Sequence, residues 1–371
     1  LTGYMNSNEL SRFRYERLNS ISKHLKIGKN KIKFVLHEDC HKYYSYYFFS
    51  DRRDGIAITS EGIGDYSSGS VSIVKNNKFY LKAFNKENHL GHIYQYITLL
   101  LGMKPNQHEY KVMGLAPYAS NYEIKKCYNI FDKILKVKGL NIDFDKKPKD
   151  LFFYFKEKLI NSRFDGIAGA LQKFLERKLE KWFIACFKRF KYKNFYFSGG
   201  VAQNIKAALH LSKNKNIKKI FVPPAAGDTT ISIGACFYGA VNFSKKDKNK
   251  IYPINSMYLG SKLNNKDIKH LINSRKLSKK FIIKNKFKPK EIAIELKKGR
   301  IIGRCAGRME FGLRSLGNRS ILCDPRFSEN INKINFKIKK RDFWMPFTPT
   351  ILKEDFNKFI LNPKKIEAKF M

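Results

Sequence analysis

Apolar positions recur with two different periods along this chain, and the changes of period mark out its elements. Short apolar runs at 31–36, 56–59, 71–74, 194–197, 220–224 and 300–304 read as strands. Asn76-Asn77 marks a hairpin turn after the third of them. Between 89 and 101 the period becomes helical, with Leu90, Ile93, Tyr94, Ile97, Leu100 and Leu101 on one face and Gly102 as the stop. Residues 167–190 read as a long amphipathic helix, and 288–298 and 332–340 as shorter ones. Residues 1–30 are polar and basic and read as helix and loop. Residues 120–165 are Lys-rich with little pattern, as expected of the loop and helices of a substrate-specific insertion, and 242–252 reads as a linker.

Candidate chemistry sits where these elements end. The strand at 31–36 runs into His37 and His41, four residues apart. On a helix that spacing puts both imidazoles on one face, about 6 Å apart at Cβ, which suits a shared divalent metal. The strand at 56–59 runs into the acid-and-glycine turn Ser60-Glu61-Gly62-Ile63-Gly64-Asp65. The strand at 194–197 ends in Ser198-Gly199-Gly200 with Asn204 beyond. Unpaired backbone N–H groups at such a turn favour a phosphate or nucleotide. The strand at 220–224 leads to Gly227-Asp228, where the carboxylate is placed as a third metal ligand or as a ribose-side acceptor. Glu109 and Lys111, in the stretch 108–118, are candidates to bind a polar ligand.

The longest such stretch is 307–326. It holds Arg308, Arg314, Arg319 and Arg326, broken by Gly307, Gly312 and Gly317. Arginine forks suit phosphate and carboxylate, and glycine admits positive φ and close backbone approach. The stretch reads as an anion-binding loop. Glu310 and Asp324 are expected to hold guanidiniums, and the apolar residues interleaved with the arginines predict that they are partly enclosed.

Composition narrows the class. With 43% hydrophobic and 14% aromatic residues the 371-residue chain is folded, and long enough for two domains. The net charge of +43 comes from 74 Lys and Arg against 31 Asp and Glu. These are mostly lysines spread along the whole length rather than gathered on one face. They predict a weak, salt-sensitive attraction to polyanions and no specific nucleic acid. Six cysteines without a CxxC pair read as reduced thiols in a cytoplasmic protein. No stretch approaches the roughly 20 apolar residues of a membrane span. The opening at Leu1 is read as that of a fragment.

The stretch 307–326 resembles the GRMEFGPRALGNRSIL-D-PR signature of O-carbamoyltransferases of the nodulation-protein U type, with Leu313 and Ser315 in place of Pro and Ala. Residues 109–119 are similar to the same family's EYKVMGLAPYA, and Glu61 to Asp65 to its DGxGE with the two acid lengths exchanged. SGGVAQN followed by P-x-x-GD resembles the actin-like fold of carbamoyl and threonylcarbamoyl transferases. The resemblance implies an α/β chain: an actin-like, ribonuclease H-like transferase domain over 1–250 that lacks its first strands, an adaptor over 251–285, and the N-terminal part of an α+β YrdC-like domain over 286–371.

The same resemblance implies a carbamoyltransferase that joins carbamoyl phosphate to ATP, giving carbamoyl-adenylate and pyrophosphate. It then passes the carbamoyl group to a hydroxyl of a sugar, secondary metabolite or glycolipid. It implies that His37, His41 and Asp228 hold a divalent metal, iron(II) or similar. Gly199, Gly200, Asn204, Glu61 and Lys111 would lie along the nucleotide. Arg308, Arg314, Arg319, Lys339 and Arg341 would handle carbamoyl phosphate and ATP. Lys339 and Arg341 are similar to the KxR pair of YrdC-like domains and are expected to share one face of a strand. Segments missing at both ends would be supplied by a second polypeptide. The alternatives are an actin-like sugar kinase, or an inactive fragment serving as a ligand- or polyanion-binding module.

Overall fold

The computed structural model describes residues 7–244, 251–284, 287–364, 366 and 370, so most of the expected linker at 242–252 lies outside the described residues. The chain divides into two units, Leu1–Asn255 and Ser256–Met371. The first unit runs α1 (Ser7–Leu25), α2 (His37–Tyr47), β1 (Gly55–Ser60), β2 (Gly69–Lys75), β3 (Lys78–Asn85), α3 (Leu90–Leu100), α4 (Glu109–Leu115) and α5 (Asn121–Asp132). It continues with β4 (Leu135–Lys138), β5 (Asn141–Phe144), α6 (Leu151–Lys158), α7 (Phe164–Phe190), β6 (Asn194–Ser198), α8 (Ile205–Lys213), β7 (Lys219–Phe221) and α9 (Ile231–Phe243).

Five strands form one sheet in the order β3-β2-β1-β6-β7. β2 is antiparallel to both neighbours, whereas β1, β6 and β7 run parallel. A three-stranded meander extended by two parallel strands is the ribonuclease H-like plan, and the actin-like expectation holds for this unit. Every residue of β1 is buried, as a strand covered on both faces requires. Strand β6 shows how the two faces are filled. Phe195 and Phe197 point one way, onto Phe183 of α7 at 5.0 and 5.2 Å between ring centroids. Tyr196, between them, points the other way onto Tyr46 of α2 at 4.9 Å.

Helix α2 is polar on paper and buried in fact. It can be buried because its hydroxyls find partners. Tyr44 donates to the Pro224 carbonyl at 2.7 Å, Tyr46 to Asn77 Oδ1 at 2.6 Å, and Tyr47 to the Asn77 carbonyl at 3.1 Å. The expected strand at 31–36 does not form. The segment is extended at Ile32 and Leu36, but it joins no sheet among the described residues: Ile32, Val35 and Leu36 are only half-buried and Phe34 is exposed. Within 120–165 the two-stranded β4–β5 sheet separates α5 from α6, where only loop and helix were expected.

A histidine pair, His92 buried and His89 partly so, closes the start of α3. His89 Nδ1 lies 3.1 Å from His92 Nδ1, and His89 Nε2 lies 3.0 Å from Glu87, which also holds Lys147. Burial, then the neighbouring His89, pushes the His92 pKa down to about 4. A folded pKa below the ordinary 6.5 means that the unfolded chain takes up the proton first. This contribution is therefore complete above about pH 6.5 and is lost as the pH falls from there towards 4, on the order of 3 kcal/mol in all. Urea unfolding at pH 7.5 and pH 4.5 is expected to show that extra loss in the wild type but not in His92→Leu. Equal losses in both would contradict it.

The second unit contains α10 (Asn265–Ser274), α11 (Pro289–Lys297), and the antiparallel pair β8 (Ile302–Cys305) and β9 (Arg319–Leu322). Residues 257–262, expected in a separate adaptor, are woven into the arginine-glycine stretch. Gly260 N–H donates to the Met309 carbonyl at 2.9 Å, Met309 N–H to Ser261, and Phe311 N–H to Met257. After a short helix at Glu329–Asn332 comes a π-helical segment, Lys333–Ile338.

Candidate metal centre

Four side chains from three places in the first unit meet at one point. His37 and His41 lie one turn apart at the start of α2. No side chain of the residue before the helix caps it; instead Asp65 Oδ2 accepts the His37 backbone N–H at 3.0 Å. Ser198, at the end of β6, donates its hydroxyl to the His41 carbonyl at 3.0 Å and ties α2 to the sheet. Glu61 follows β1 directly. Asp228 opens the short turn that leads into α9. The parallel pairing of β1 with β6 brings these strand ends to the same edge of the sheet.

One ligand atom from each of the four side chains lies within 4.8 Å of the others. His37 Nε2 is 3.0 Å from His41 Nε2. Asp228 Oδ1 is 3.4 Å from His37 Nε2 and 3.5 Å from His41 Nε2. Glu61 Oε1 is 2.6 Å from His41 Nε2 and 3.8 Å from His37 Nε2. Donors that bind one ion at about 2.0–2.2 Å are themselves separated by roughly 3–3.5 Å, so the spacing of His37, His41 and Asp228 fits a single divalent cation, with Glu61 beside them. A second observation agrees. Glu61 Oε1 is buried and makes no aligned hydrogen bond despite its closeness to His41. Two imidazoles and two carboxylates form a donor set that suits zinc, iron or manganese. His41 and Glu61 are buried, whereas the Asp228 side chain is 68% exposed, so the centre opens to solvent on the Asp228 side.

The electrostatics ask for positive charge. Burial opposes protonation of His37, but Asp228 and Glu61 outweigh it and push its pKa up to about 10. His41 is also raised: burial pulls it down, and Glu61 and Asp228 more than compensate. Asp228 is lowered by hydrogen bonds from the two imidazoles, and Glu61 is lowered by the same pair against its own burial. Protons on the imidazoles supply the charge that an ion would bring.

The structure therefore brings His37, His41 and Asp228 together as the spacing and motifs suggested, and adds Glu61. The resemblance implies a place along the nucleotide for Glu61, whereas its Oε1 faces the imidazoles. Its position at the mouth of a buried strand, beside the strand that ends in Ser198-Gly199-Gly200, is the signal that places it here. Gly200 N–H donates to Glu61 Oε2 at 2.9 Å, so that amide faces a carboxylate. Gly199 has φ +99 and lies against Ser60 and Glu61. Asn204 caps α8 through the Ala207 N–H at 2.9 Å, and its amide pairs both ways with Gln172 at 2.8 and 3.1 Å. Lys111 is half-buried on α4.

In the second unit the arginine-glycine stretch is organised by its own backbone. Gly307, Gly312 and Gly317 all take positive φ, at 63, 115 and 106 degrees. Among the described residues the Glu310 carboxylate holds no guanidinium, contrary to the expectation from its neighbours. It accepts the backbone N–H groups of Leu316, Asn318 and Arg319 at 2.8, 2.7 and 3.1 Å. Asp324 does pair with Arg326, at 2.6 Å. Arg308 donates to the Gly260 and Leu259 carbonyls, and Arg319 to that of Ala306. Arg308 and Arg314 are exposed rather than partly enclosed, because Met309 and Leu313 between them turn outwards too. Lys339 and Arg341 do not alternate along a strand. Lys339 ends the π-helical segment, Lys340 follows with φ +45, and Arg341 turns back to Asn335 Oδ1 at 2.6 Å.

Comparisons with known proteins converge on one family. The model for the carbamoyltransferase N-terminus matches residues 2–237, and that for the carbamoyltransferase C-terminus matches residues 293–371. An uncharacterized protein of Methanocaldococcus jannaschii, MJ1051, is 31% identical over 92% of this chain and 67% of its own length. Another, MJ1058, is 30% identical over 89% of this chain and 57% of its own. The nodulation protein NolO of Bradyrhizobium diazoefficiens is 29% identical over 86% of this chain and 59% of its own. The chain thus spans between about half and two-thirds of these relatives. The crystal structure of T. kodakarensis HypF aligns with 60% of the chain at a TM-score of 0.33 and 14% identity.

Proposed function

The chain belongs to the carbamoyltransferase family, and we propose on that footing that it activates carbamoyl phosphate with ATP and transfers the carbamoyl group to a hydroxyl of a small acceptor. The observation that carries the reading is the convergence of His37, His41, Glu61 and Asp228 inside the region matched to the carbamoyltransferase N-terminus. A divalent ion held there, iron(II) or similar, would supply a Lewis acid that polarises the carbamoyl carbonyl.

The residues around it would do the rest. Asp228, on the open side, faces the incoming acceptor. The buried Glu61 and His41 keep one wall of the site dry, which protects a labile adenylate from water. Lys111, half-buried on α4, would offer the nucleotide a cation, whereas the amides of Gly199 and Gly200 and the side chain of Asn204 are already engaged by Ala226, Glu61 and Gln172. In the second unit the exposed Arg308 and Arg314, together with Arg319, Lys339 and Arg341, offer cations to the phosphates of ATP and carbamoyl phosphate. Water first cleaves carbamoyl phosphate to carbamate and inorganic phosphate. A carbamate oxygen then attacks the α-phosphorus of ATP, pyrophosphate leaves, and carbamoyl-adenylate remains, from which the acceptor hydroxyl takes the carbamoyl group as AMP departs. A second polypeptide belongs to the same proposal. Phe336, Phe343, Leu352, Phe359 and Leu361 of the second unit are exposed apolar side chains of the kind such a chain would cover. Use of ATP and carbamoyl phosphate puts the reaction in the cytoplasm. The acceptor class is a sugar, secondary-metabolite or glycolipid hydroxyl.

The test is the phosphorus balance. Pyrophosphate is expected from ATP only when carbamoyl phosphate is present. An actin-like sugar kinase would instead give ADP and a phosphorylated sugar without it, and that result would replace the present reading.

A further inference from the structure

The double glycine after β6 has a job that its phosphate-loop appearance hides. Glu61 uses its two carboxylate oxygens in different directions. Oε1 points to the meeting point of the imidazoles, and Oε2 accepts the Gly200 N–H at 2.9 Å. A carboxylate that reaches an ion with one oxygen needs its other oxygen held, or it swings about its last torsion. Gly200 does the holding, and it is also the residue whose missing side chain makes room. A Cβ on Gly200 would lie 3.2 Å from Glu61 Oε2, and that is its sole contact within 4 Å among the described residues. Its φ is not in the left-handed region, so the backbone alone does not demand glycine there.

We infer that Gly200 is a positioning residue for the metal centre: its amide and its bare Cα seat the Glu61 carboxylate, and positions 61 and 200 act as a coupled pair that sets the affinity for the ion. The inference rests on the metal-centre reading above and deepens it. The length of Glu61 is part of the argument. Aspartate, one methylene shorter, would draw its oxygens back from position 200, so an alanine there would no longer meet them.

A double-mutant cycle read by metal binding tests the pair. Cobalt(II) is the probe, followed by its visible absorption, which reports the coordination of the bound ion. Gly200→Ala is expected to bind cobalt about tenfold more weakly than the wild type, the range seen when support of a ligand is disturbed. Its thermal unfolding should be unchanged, because the added methyl meets nothing but the carboxylate. In the Glu61→Asp background the same Gly200→Ala change is expected to cost little, and the cobalt spectrum should match that of Glu61→Asp alone. ATP affinity, measured in parallel, should not follow the cobalt affinity. If Gly200→Ala leaves cobalt binding intact and weakens ATP binding, the glycine serves a phosphate and the inference fails. It also fails if the two substitutions weaken cobalt binding by independent factors. A wild type that takes up no cobalt at all would instead refute the metal centre itself, so the two failures are separable.

Discussion

Replacing Gly234 with alanine is expected to destabilise the protein by about 2–3 kcal/mol and to weaken metal binding more than tenfold, whereas Gly239→Ala on the same helix does neither. The reason lies in how α9 meets α2. A Cβ at position 234 would overlap the backbone carbonyl of Cys40, with the Cys40 carbonyl carbon at 2.6 Å and its Cα at 2.9 Å. Backbone cannot turn aside as a flexible side chain can, so one helix has to move. Asp228 stands at the entrance to α9, and the imidazoles project from α2. Separating the helices therefore separates the carboxylate from its partners. At Gly239 an added Cβ meets nothing within 4 Å, and alanine there gains helix propensity of roughly 0.5–1 kcal/mol. Chemical unfolding and cobalt titration of both variants check the pair. Equal behaviour of the two would show that the helix approach does not govern the site.

The parts of this molecule that were legible in its residues are those in which local pattern and tertiary role agree. The i, i+4 spacing of His37 and His41 is a property of one helical turn, and Gly227-Asp228 is a property of one turn into a helix. Both survive folding unchanged. The positive φ of Gly307, Gly312 and Gly317 was readable for the same reason. Illegible were the features decided by a distant partner. The run 31–36 looks like a strand but finds no strand to pair with among the described residues. Asn204 looks like a ligand group, yet Gln172, thirty-two residues away in sequence, and the first turn of α8 take up its amide. Glu310 sits among arginines in sequence, yet three backbone amides reach its carboxylate first. Glu61 lay at the border. Its strand and turn were readable, but its approach to the two imidazoles and to Asp228 depends on how β1, α2 and the turn into α9 are brought together, which no local pattern encodes.

The largest effect belongs to His41. It is fully buried, its Nε2 is the atom nearest to Glu61 and within 3.5 Å of both His37 and Asp228, and the opposing carboxylates keep the pair of imidazoles in register. Removing it takes away a direct donor rather than a supporting contact, so His41→Ala is expected to lose affinity by more than about a hundredfold. Carbamoyl transfer should fall with it, while folding is retained. The decisive measurement is the metal content of the protein after anaerobic reconstitution with iron(II) and desalting, wild type beside His41→Ala. The account predicts about one ion per wild-type chain and essentially none in the variant. Equal content in the two, or none in the wild type, would contradict it.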